Sequence, residues 1–107
     1  MEHFGLRPSE IEQIKQILQQ HPEVESAILY GSRAKGNFKP ASDIDLTLVG
    51  SKLDLTTLQR IEAKLDDLLM PYKIDLSIYN QIDNPALQEH ITRVGKILYS
   101  KTTQKAA

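Results

Sequence analysis

The chain has 107 residues, 40% of them apolar, with a formal net charge of -1. That length fits one domain with an ordinary core, and the near-neutral charge argues against long duplex nucleic acid as the main partner. The absence of cysteine excludes disulfides and thiolate metal sites, and fits a cytoplasmic protein.

Pro8-Ser9-Glu10 opens a first helix, in which Ile11, Ile14, Ile17 and Leu18 recur at helical spacing. His21-Pro22 ends it, because proline disfavours helix at the residue before it. Val24 to Tyr30 reads as a short strand. Gly31-Ser32 turns the chain into a short helix over Arg33 to Gly36, and Asn37 to Ser42 is a loop. Ile44 to Val49 is the second strand, closed by Gly50-Ser51.

Leu55, Leu58, Ile61, Leu65, Leu68 and Leu69 mark a long amphipathic helix ended by Pro71. Lys73 to Tyr79 is the third strand. Asn84-Pro85 starts a last helix with Leu87, Ile91 and Val94 on its apolar face. Gly95 ends that helix, and Lys96 to Tyr99 is a final short strand. The expected organisation is a single domain over residues 1–100 and a frayed, disordered polar tail over 101–107. Neither a signal peptide nor an apolar run near the roughly 20 residues of a membrane span is visible.

Helices alternate with strands throughout, which predicts an α/β (α+β-like) domain with helices packed on one face of one sheet. The first two strands are joined too briefly for a parallel crossover, so the sheet is expected to be small and mixed.

The chemistry concentrates in Gly31-Ser32 and, after ten intervening residues, Asp43-Ile44-Asp45. Residues i and i+2 of a strand share a face, so Asp43 and Asp45 stand together while Ile44, Leu46 and Leu48 point to the core. Lys73-Ile74-Asp75-Leu76-Ser77-Ile78 repeats the pattern, so Asp75 joins the pair if the two strands are neighbours. Three converging carboxylates repel one another, and a divalent cation relieves that cost. With hard oxygen donors and no Cys or His nearby, the expected ion is Mg²⁺, with Mn²⁺ as the substitute.

Glycine lets a phosphate approach the backbone closely. Ser32 adds a hydroxyl to free N–H groups, which suits a triphosphate. Arg33 and Lys35 bring positive charge to the same segment. The expected nucleotide-binding residues are therefore Gly31, Ser32 and Arg33. The expected catalytic and metal-binding residues are Asp43, Asp45 and Asp75, with Asp75 holding a second ion or accepting a hydroxyl proton. Lys35 and Lys39 read as solvated, His3, His21 and His90 as surface residues, and Tyr30 as packing beside the turn.

These residues, from Ala27 to Ile78, resemble the signature of the DNA-polymerase-beta-like nucleotidyltransferase superfamily. Leu29-Tyr30-Gly31-Ser32-Arg33-Ala34-Lys35-Gly36 with Ser42-Asp43-Ile44-Asp45-Leu46 is similar to its minimal nucleotidyltransferase branch. The resemblance implies two-metal nucleotidyl transfer, with both metals on Asp43 and Asp45, Asp75 as third carboxylate and the terminal phosphates on Gly31 and Ser32. It also implies a separate HEPN-type helical partner, with this chain as the antitoxin of a toxin–antitoxin pair that transfers AMP from ATP to the toxin. Two other functions fit the residues: a non-catalytic antitoxin acting by contact, and a small-molecule transferase of the antibiotic-modifying kind.

Overall fold

A computed structural model describes residues 3–101. The chain order is α1 (Pro8–Gln19), β1 (Ser26–Tyr30), α2 (Gly31–Lys35), β2 (Ile44–Val49), α3 (Leu55–Asp66), β3 (Ile74–Ile78), a 3₁₀ turn over Tyr79–Gln81, α4 (Pro85–Val94) and β4 (Lys96–Ser100). The strands form one sheet in the order β3-β2-β1-β4. β1 pairs antiparallel with β2 and with β4, and β2 pairs parallel with β3, so the sheet is mixed as expected.

Alternation along the strands sets the two faces. Ala27 and Leu29 of β1, Ile44, Leu46 and Leu48 of β2, and Leu76 and Ile78 of β3 are buried in one core. Ile11, Ile14, Ile17 and Leu18 of α1, with Ile61 and Leu65 of α3, complete it. These two helices cover that face of the sheet. On the other face α4 lies along β1, where its terminal Gly95 meets Ile28 so closely that a Cβ would overlap the Ile28 methyl and the Ile91 carbonyl.

Local chemistry explains the element ends. Pro8 stands in the first turn of α1, and Glu10 Oε1 accepts a hydrogen bond of 2.8 Å from the Arg7 amide. Asp54 caps α3 through the Thr57 amide at 2.8 Å, and Asn84 caps α4 through the Ala86 and Leu87 amides at 2.9 and 3.2 Å.

The long helix is shorter than its apolar spacing predicts. It stops at Asp66, and Leu69 follows in a left-handed conformation, 87% exposed. Leu55, the first helical residue after the cap, is exposed as well. Lys101, expected in the frayed tail, is held: its amide donates to Glu25 O at 2.9 Å and its Nζ to Pro22 O at 3.1 Å. The rest of that expected tail, 102–107, lies outside the described residues. No helix among the described residues is long and apolar enough to cross a membrane.

Candidate active site

β1 runs directly into α2, so Tyr30 is the last strand residue and Gly31 the first helical one. Gly31 has φ +75°, a conformation that side-chain-bearing residues rarely adopt. A Cβ at this position would overlap Asp45 Oδ2. The glycine is therefore required twice, once by its backbone angle and once by the carboxylate against it. Gly36, at φ +89°, ends α2, and its amide donates to Ser32 O at 2.9 Å. Ser32 is half-buried at the mouth of this turn.

The register assembles the carboxylates. Tyr30 of β1 is opposite Asp45 of β2, and Asp45 is in turn the partner of Asp75 of β3. Three adjacent strands thus place Tyr30, Asp45 and Asp75 in one row on the face opposite the core. Asp43 stands two residues before Asp45, just ahead of β2, and is exposed, as is Asp75. Asp45 is half-buried. Burial, then the charges of Asp75 and Asp43, push its carboxyl above the ordinary carboxylate range, and His90 pulls it partly back. Asp45 therefore feels the charges of both other carboxylates.

Among the described residues, no group of three or more His, Cys, Asp or Glu side chains is arranged to hold a metal ion. The donor set nevertheless fits a hard divalent cation. Its members are carboxylates, and the charges of Asp75 and Asp43 raise the affinity of Asp45 for positive charge. Asp45 and Asp75, with Asp43 adjacent, are the residues that would hold such an ion.

Behind the carboxylates lies a second row that sequence reasoning missed. Thr47 is fully buried on the same face and accepts a hydrogen bond of 2.9 Å from Ser77 Oγ. The Tyr30 ring meets His90 of α4 edge to face, with centroids 6.3 Å apart. Burial raises the Tyr30 phenol above its ordinary value, Ser77 opposes that shift by a hydrogen bond, and Asp45 and Asp75 reinforce it. His90, expected at the surface, is thus a neighbour of the site. The signal was present, because His90 follows Leu87 by three residues and precedes Val94 by four, on the stripe that faces β1.

Arg33, expected at the phosphates, is 1% exposed, and its guanidinium is hydrogen-bonded to main-chain carbonyls. Nε and Nη2 donate to Ser42 O at 3.1 and 2.9 Å, Nη2 also to Pro40 O at 3.2 Å, and Nη1 to Phe4 O at 2.8 Å. These carbonyls engage all three guanidinium nitrogens. Lys35 and Lys39 are exposed, as expected.

Residues 12–104 match the family described as Polymerase beta, Nucleotidyltransferase. A Methanocaldococcus jannaschii protein named protein adenylyltransferase MJ1217 is 36% identical over 88 residues, covering 78% of this chain and 89% of that protein. A Haemophilus influenzae protein named protein adenylyltransferase MntA is 31% identical over 74 residues, covering 68% of this chain and 65% of its own length. Among solved structures, a chain of a toxin-antitoxin crystal structure with AMP-PNP superposes with a TM-score of 0.70 at 23% identity, covering 88% of this chain and 76% of that one. A chain from the complex of the tri-AMPylated Shewanella oneidensis HEPN toxin with MNT antitoxin gives 0.67 at 19% identity, covering 94% and 78%. At those identities the two structures establish a shared fold.

Proposed function

The chain belongs to the polymerase beta nucleotidyltransferase family, and from that premise we propose that it transfers AMP from ATP to a hydroxyl of a HEPN-type toxin, as the Mg²⁺-dependent antitoxin of a cytoplasmic pair. One observation carries the reading: the Gly31 backbone lies against the Asp45 carboxylate, with Asp75 in register on the next strand. The turn that suits a triphosphate and the carboxylates that suit its metal form one site. Two relatives named protein adenylyltransferase support transfer to protein, and the complexes with HEPN toxins support the partner.

The roles follow from position. Gly31 and Ser32 hold the terminal phosphates at the start of α2. The acceptor hydroxyl oxygen bonds to the α-phosphorus, and the bond from that phosphorus to the pyrophosphate oxygen breaks. Asp75, exposed at the outer end of the row, would hold a cation or take the hydroxyl proton. Asp43, Asp45 and Asp75 would hold a divalent cation, which would stabilise the charge that grows on the phosphoryl oxygens. Tyr30, in the carboxylate row, and Thr47, two residues beyond Asp45 on the same face, are buried beside it.

The test is label transfer. With ATP labelled at the α-phosphate, Mg²⁺ and the purified HEPN partner, label should pass to the partner and should disappear with Asp43→Ala, Asp45→Ala. Absence of transfer from every common nucleoside triphosphate would overturn the catalytic reading. Full protection of cells by the double variant would show that contact alone neutralises the toxin.

A further inference from the structure

Arg33 carries a full charge into the interior without a carboxylate among its hydrogen-bond partners. Such burial is costly unless every donor is engaged. Here four hydrogen bonds reach three main-chain carbonyls, and two rings cover the guanidinium, Phe38 at 5.2 Å and Tyr72 at 4.7 Å from Cζ to centroid. The Tyr72 hydroxyl donates in turn to Glu10 Oε1 at 3.2 Å, at the start of α1. Two of the three carbonyls belong to the loop that delivers Asp43, and Ser42 immediately precedes it. The same loop is closed on itself by Lys39 N to Ser42 Oγ at 2.8 Å and Ser42 N to Lys39 O at 3.0 Å. Arg33 itself follows Ser32. One guanidinium therefore ties the phosphate turn to the residue before the first carboxylate, with the planar fork that lysine lacks.

We propose that Arg33 is a positioning residue, which sets the distance between the Gly31-Ser32 turn and Asp43 and so the affinity of the carboxylates for a divalent cation. The inference rests on the transfer reading for its consequence, but its structural half stands apart from it. Arg33→Lys keeps the charge and removes the fork. Hydrogen exchange on the whole chain should show the Ser42 amide exchanging at least about tenfold faster, with the amides of β1 and β2 near their wild-type rates. Mn²⁺ binding to the same variant should weaken by about tenfold or more. Turnover should fall on the order of a hundredfold, with KM for ATP at saturating Mg²⁺ within about threefold of wild type.

Phe38→Leu removes one ring and none of the donors. It should move loop exchange and Mn²⁺ affinity in the same direction by a smaller factor, and it decides the matter if the lysine variant does not fold. Unchanged loop exchange with unchanged Mn²⁺ affinity would overturn the proposal. So would faster exchange spread evenly over β1 and β2, or weaker ATP binding with normal Mn²⁺ affinity, the pattern of a phosphate contact. A wild-type chain that neither binds Mn²⁺ nor transfers a nucleotide would sink the transfer reading instead, and loop exchange would still decide whether the clamp exists.

Discussion

Asp45 sits in a place that works against folding and in favour of binding. Its carboxyl is held above the ordinary value of 3.8 by burial and by Asp75 and Asp43. Between the unfolded value and the raised folded one, the folded chain binds more protons than the unfolded chain. Stability therefore falls as pH rises through that window, and remains lower at neutral pH than it would be without the shift. In chelator, Asp45→Asn should melt above wild type at pH 7, and the two melting curves should converge below about pH 4, near the unfolded carboxylate value. Transfer activity should be lost in the same variant. A wild-type chain that melts higher than Asp45→Asn at pH 7 in chelator would show that the carboxylate is stabilising, contrary to the repulsion argued here. The carboxylates were legible in the sequence because i, i+2 spacing on a strand is a local geometric fact. Arg33 was not, because its fate depends on the Phe4 carbonyl, 29 residues earlier, and on Tyr72, 39 residues later.

At the level of elements, most boundaries carry their own punctuation. Pro8, Gly31, Gly50, Asn84-Pro85 and Gly95 each stand where an element begins or ends. The end of α3 has no such mark, since its apolar spacing continues past Asp66 to Leu68 and Leu69, and only the second of these is left in solvent. Strand faces were legible from alternation, but strand order was not. Nothing local says that β2 is flanked by β1 and β3, and that order is what aligns Tyr30, Asp45 and Asp75. α4 matters because it brings His90 against Tyr30, and its start depends on a single side chain. Asn84→Ala removes the acceptor of two amides and should cost about 1 kcal/mol. For a chain of this length that lowers the melting temperature by about 4–8 °C. Asn84→Asp should melt near wild type, because aspartate caps as well as asparagine. Equal losses in the two variants would show that the cap hydrogen bonds are not what anchors α4.

For the whole molecule, the site is a local accumulation of negative charge on a domain whose net charge is only -1. On the proposed reading, a triphosphate at Gly31-Ser32 would meet Asp45 directly against the turn, with the charges of Asp43 and Asp75 close to it. Repulsion from three carboxylates opposes nucleotide binding, and a cation removes the repulsion on both sides at once. Nucleotide and metal should therefore stabilise the fold together far more than separately. A ligand at a hundred times its dissociation constant adds about 2.7 kcal/mol to the folded state. In a domain of this size that is a rise of about 10–20 °C in melting temperature. ATP in chelator should raise it by less than about a quarter of that, and Mg²⁺ alone by a similarly small amount. Asp45→Asn should lose most of the joint rise, since the remaining carboxylates hold a cation more weakly. Equal stabilisation by ATP in chelator and in Mg²⁺ would place the triphosphate away from the carboxylates, and would break the link between the two halves of the motif.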